Sequence, residues 1–176
     1  MSIRDNHTRY GAVSRFFHWA MVGAILWQFT SVFAHILAEG TSFEKFMRST
    51  HKAVGFLIFV LAVLRLIWAF SNVGSRPAEL TILSRLGHMG LYALFIGVPA
   101  VALLRQYGSG RAFNPFGLPV FSGFDSGKIS WMTDLGGLLH SNFAWVLLVA
   151  IVGHVGIVIW HRRQTAKQDV LPRMWG

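Results

Sequence analysis

Among the eight histidines in this chain, His18, His51, His140 and His154 fall inside long apolar stretches at two matched depths. An imidazole withdrawn from water needs a partner, either another polar group or a metal. His140 and His154 share one stretch, Leu135 to Trp160, which carries no charged residue. Fourteen positions along a helix return a side chain to within about 40° of the same face and carry it about 21 Å along the axis. One helix therefore offers an imidazole near each side of a membrane, both facing the same way. His18 matches His154 in depth, and His51 matches His140. Two imidazoles from facing helices can hold a flat iron macrocycle between them, a cofactor site of helix-bundle cores. An iron with two protein ligands has no open position for oxygen or substrate, which favours electron transfer. Two such irons stacked across a membrane make an electron wire. Gly55, four residues after His51, and Gly153, beside His154, are placed to let a macrocycle approach the backbone. Zinc is the weaker alternative, because it gathers more ligands at one point, often carboxylates. The apolar stretches hold no Asp or Glu, and the chain has no cysteine for thiolate or iron–sulfur sites.

The elements that must position these residues are membrane helices. With 53% apolar, 14% aromatic and 13% charged residues, the 176-residue chain is too apolar and too weakly charged for an ordinary soluble domain. A run of about 20 apolar residues spans a hydrocarbon core of about 30 Å. The patterning predicts an all-α membrane protein: one four-helix transmembrane domain over residues 1–176, with helices at about 16–38, 51–70, 86–104 and 135–161. Residues 39–50 read as a short loop, 71–85 as a second, and 105–130 as the one long loop, rich in Gly, Pro and Phe. The first apolar run starts like a signal peptide but is too long and ends in no cleavage pattern. Pro99 falls inside the third helix, where neighbouring helices can satisfy the freed carbonyl. Tryptophans such as Trp19, Trp68, Trp131 and Trp160 mark segment ends, where an indole sits between lipid and headgroup.

Four spans put both termini on one side. That side holds nine Lys/Arg (Arg4, Arg9, Arg15, Arg76, Arg85, Arg162, Arg163, Lys167, Arg173), and the other holds six (Lys45, Arg48, Lys52, Arg105, Arg111, Lys128). The positive-inside rule then predicts cytoplasmic termini. The net charge of +9 lies at the flanks of apolar segments rather than in one stripe, so it suits an anionic lipid surface and not nucleic acid.

The chain resembles the bacterial cytochrome b561 family in R-Y-G-A-V-S-R-F-F-H-W at 9–19, H-K-A-V-G at 51–55, L-R-L-I-W at 64–68 and G-H-M-G-L-Y at 87–92. F-G-L at 116–118 and the histidines at 140, 154 and 161 continue the match over nearly the whole length. The resemblance implies a bundle of the bacterial cytoplasmic membrane holding two b-type haems, with His18, His154, His51 and His140 as axial ligands. It also implies electron exchange with ubiquinone and, at family level, superoxide oxidation. The chain departs from relatives at Arg162, where they often have a histidine, and at Ala69, where they often have an arginine.

Other residues keep two readings. His88 has the depth to touch the inner haem or a quinone, or to make a helix-packing hydrogen bond. His161 lies within about 20° of the face of His154, and it is either a quinone partner or a solvated helix end. His35 is read as structural or interfacial. Arg65 either pairs with a haem propionate or snorkels to the interface. Lys52, Arg105 and Lys128, with Arg111, form a candidate funnel for an anionic donor such as superoxide. The rival to an oxidoreductase acting alone is an electron-carrier subunit that docks a hydrogenase, dehydrogenase or other redox partner protein.

Overall fold

The computed structural model describes residues 2–78, 81–164 and 169–175. Among these, four helices are long and apolar enough to cross a membrane: α1 (Ala12–Leu37), α2 (Ser42–Ser71), α3 (Ile82–Gly108) and α4 (Ser130–Arg163). A short α5 (Pro172–Trp175) follows. The protein is an all-helical, multi-pass membrane bundle. Lys167, counted with the basic residues of the termini side, lies outside the described residues.

Each helix runs further than its apolar core. The largest difference is at residues 39–50, read as a loop, where α2 begins at Ser42. Thr41 caps that end by accepting a hydrogen bond from the Glu44 amide at 3.2 Å, and the acidic Glu44 suits the positive end of the helix dipole. Hydropathy registers where lipid ends, whereas the backbone goes on satisfying its own hydrogen bonds beyond that line. His51 therefore sits more than two turns inside α2 rather than at its start.

Along the bundle α1 packs on α2, α2 on α3, and α3 on α4. The core is small: Met21, Ala62, Leu91, Phe95, Val98 and Leu147 meet in the middle. At the long-loop side, α3 and α4 come close because two glycines allow it. A Cβ added at Gly108 would stand 2.5 Å from Met132 Cβ, and one at Gly136 would stand 2.6 Å from both Arg105 Cβ and the Val101 carbonyl oxygen. Small residues of this kind are what let membrane helices approach.

The long loop folds back onto the bundle. Phe113 and Phe121 form an isolated β-bridge, Phe113 stacks on Phe56 of α2 at 5.9 Å, and Tyr107 meets Phe121 and Phe124. On the opposite side the ends of the chain close on each other. Tyr10 donates its amide to the Arg173 carbonyl (3.2 Å), Trp19 Nε1 donates to the Met174 carbonyl (3.2 Å), and Arg173 reaches the Ala78 carbonyl (3.0 Å). Buried Asp5 accepts from the Gly11 amide and stands 3.5 Å from Arg76.

Candidate haem-binding site

On the long-loop side, α2 and α4 bring His51 and His140 face to face, with ring centroids 6.2 Å apart and planes at 84°. Two metal–imidazole bonds of about 2.0–2.1 Å each, plus about 1.1 Å from nitrogen to ring centre on either side, give about 6.3 Å between rings that share one metal. The spacing therefore suits an iron held between them.

The second test is which nitrogen each ring offers. His140 Nδ1 lies 3.1 Å from the Val98 carbonyl oxygen, which can only accept, so Nδ1 carries the proton. His51 Nδ1 lies 2.6 Å from Ser31 Oγ. The single Ser31 hydroxyl proton has another acceptor, the Gln28 carbonyl at 2.8 Å, so His51 Nδ1 donates to the serine oxygen. Both rings are thus set with Nδ1–H occupied and Nε2 available as a ligand, the arrangement that metal-bound histidines require. The His140 bond falls beside Pro99, not on the Phe95 carbonyl that the proline leaves without its helical donor.

The termini side is built differently. His154 stacks on His88, with centroids 5.3 Å apart, and His18 interacts electrostatically with both. Arg65 Nη2 donates to His18 Nδ1 at 3.1 Å, and its guanidinium also meets Met21 Sδ at 3.6 Å and the Tyr92 ring at 5.5 Å. A guanidinium has no acceptor, so in this arrangement His18 keeps its proton on Nε2. To offer Nε2 to an iron, His18 must move that proton to Nδ1 and Arg65 must turn to another partner. Arg65 points into the bundle, bridging α1, α2 and α3, rather than along the lipid to the interface. His161, at the end of α4, stacks on Trp160 at 5.5 Å.

Two glycines behave differently from each other. Gly55 faces α1, where a Cβ would come within 3.3 Å of Gln28 Nε2, so its missing side chain makes room for Gln28 rather than for a macrocycle. A Cβ at Gly153 would meet nothing within 4 Å.

Of the basic residues on the long-loop side, Lys52 follows His51 and donates to Gln106 Oε1 at 2.9 Å, while Gln106 Nε2 holds the Arg111 carbonyl at 3.2 Å. Arg105 lies against Gly136 and Gly137, one turn before His140. Lys128 is exposed in the loop before α4, and no hydrogen bond or ion pair fixes it among the described residues. His35 belongs to a separate cluster, 3.2 Å from buried Glu44 and 2.9 Å from Arg48.

Ser31, Gln28 and Val98 were not singled out from the sequence. A signal for the first two existed: Gln28, Ser31 and His35 are polar residues at helical spacing inside a membrane segment, and polar groups there need a reason. Val98 acts through its backbone, which no side-chain pattern records.

A multi-pass bundle with part-buried imidazoles facing one another between its helices has the arrangement of a membrane haem protein. The model of the family described as prokaryotic cytochrome b561 matches residues 9–176, and the chain belongs to that family. The family transfers electrons within membranes and carries b-type haem. The chain is 28% identical to "Cytochrome b561 homolog 2" of Escherichia coli (strain K12), over all of this chain and 96% of that protein. It is 24% identical to "Probable superoxide oxidase CybB" of Yersinia pestis, over 64% of this chain and 66% of that one.

Proposed function

We propose that this protein carries electrons across the bacterial cytoplasmic membrane through two b-type haems, one held by His51 and His140 and the other by His18 and His154. The donor is superoxide, or another small reductant, on the periplasmic long-loop side; the acceptor is ubiquinone near the cytoplasmic termini side. When bound, each haem supplies a reversible one-electron couple, and bis-imidazole coordination keeps oxygen off the iron. In balance, two superoxide anions each lose one electron and leave as dioxygen, and one ubiquinone takes the two electrons with two protons.

The chain's own residues divide this work. Lys52 and Arg105 place positive charge just outside the His51–His140 pair, where it draws an anion inward. Val98 and Ser31 hold the two imidazoles in the ligating tautomer. On the cytoplasmic side Arg65 can neutralise a propionate once it leaves His18, and His88 and His161 are candidates to touch the quinone. The observation that carries the reading is the His51–His140 pair, with its 6.2 Å spacing and both Nδ1 atoms already hydrogen-bonded. The similarity to a probable superoxide oxidase supports the choice of donor.

The test is made on the purified full chain: a reduced-minus-oxidised spectrum with a haem count, then turnover with a superoxide source and ubiquinone. Two haems per chain and superoxide-dependent quinone reduction are expected. Two haems without such turnover would instead mark an electron-carrier subunit serving a partner protein. A single haem would refute the pairing.

A further inference from the structure

The two turns of α1 that carry Gln28 and Ser31 grip His51 at two points. Gln28 Nε2 donates to the backbone carbonyl of His51 at 3.2 Å, in the space that Gly55 leaves open. Ser31 Oγ lies 2.6 Å from His51 Nδ1, and the serine is 3% exposed. Its own proton is committed to the Gln28 carbonyl, so the oxygen faces the ring as an acceptor. The same segment thus fixes the backbone, the ring angle and the tautomer of one imidazole. His140 has only a backbone carbonyl in the corresponding role. Ser31 is therefore the partner of this pair that a side-chain substitution can remove.

We infer that Ser31 is a positioning residue for the haem on the long-loop side, acting through His51 to set both the affinity and the reduction potential of that haem. The inference rests on the proposed role of His51 as an iron ligand. A hydrogen bond from Nδ1 leaves more electron density on Nε2, making the imidazole a stronger donor that favours the ferric state. The haem bound there has a lower potential than it would without the serine. Partners of this kind are worth about 10- to 100-fold in metal affinity. If the ferric form alone loses tenfold, the midpoint rises by about 59 mV for one electron.

The experiment is a spectroscopic redox titration, with haem counts, of the purified full chain and five variants. Ser31→Ala should raise the midpoint of one haem only, the one that His140→Ala removes, and should lower its occupancy. Ser31→Thr keeps the hydroxyl and should stay close to the wild type. Thr30→Ala removes the neighbouring hydroxyl, which bonds to the Leu26 carbonyl, and should change nothing. An unchanged midpoint in Ser31→Ala, with the haem bound, overturns the inference. If Ser31→Ala loses the haem altogether, retention by Ser31→Thr at the wild-type midpoint supports the inference, and equal loss in Ser31→Thr overturns it. If His51→Ala keeps both haems, the ligand assignment itself fails, an outcome distinct from a silent serine.

Discussion

Gly136 lies four residues before His140 on the face of α4 that meets α3, and its replacement by alanine tests how closely the two helices must approach. A Cβ there would stand 2.6 Å from the Val101 carbonyl oxygen and from Arg105 Cβ. Ordinary carbon contacts lie at about 3.5–4.0 Å, so the helices must part locally by about 1 Å. Four residues along the helix, the His140 Nδ1–Val98 bond is 3.1 Å, and the same displacement takes it to about 4 Å, beyond hydrogen-bonding range. Two costs follow. Overpacking removes about 1–3 kcal/mol of stability. Loss of the bond that fixes the His140 tautomer weakens metal affinity by about 10- to 100-fold. Gly136→Ala should therefore purify with less than its full haem complement, the deficit falling on the haem that His140→Ala also removes. Gly137→Ala is the control, because its Cβ would come no nearer than 3.9 Å to any atom, the Arg105 Nε. The assay is a haem count with a reduced-minus-oxidised spectrum, plus thermal unfolding of both variants. A Gly136→Ala protein with full haem, an unchanged midpoint and unchanged stability would refute both the close approach and its coupling to His140.

Further outcomes are expected. His140→Ala should lose mainly the long-loop-side haem and His154→Ala mainly the other, as a pyridine haemochrome count on each would register; a variant that keeps both contradicts the pairing. A reporter fused after Gly176 should be active in the cytoplasm, given the nine-to-six asymmetry of basic residues, and activity confined to the periplasm would reverse the topology. Superoxide-dependent quinone reduction should slow as ionic strength rises, because salt screens charges beyond about 8–10 Å. Charge reversal at Lys52 together with Arg105 or Lys128 should slow it further with both haems retained, and a rate indifferent to salt and charge would point to the electron-carrier role.

Reading the chain as a string was enough to find four spans, because crossing lipid requires an uninterrupted apolar run, and such a run is a local property. The depth and facing of His140 and His154 followed from helical repeat alone, and the basic flanks from their positions. The start of α2 at Ser42 was also a local signal, Thr41 three residues before Glu44, which hydropathy alone passes over because the lipid-compatible run starts later. Two kinds of information were not local. Neighbour identity depended on how helices rotate against one another: Gly55 makes room for Gln28, Arg65 turns inward to His18 and Tyr92, and His88 stands against His154. The tautomers of His51 and His140 depended on acceptors more than 19 positions away, Ser31 and the Val98 carbonyl. Residue type and spacing predicted two facing pairs of imidazoles; the structure sets His51 against His140, whereas His154 stands against His88 and His18 against Arg65. Only the tertiary structure decided which nitrogen His51 and His140 present, because a ring's proton sits where an acceptor from another helix stands.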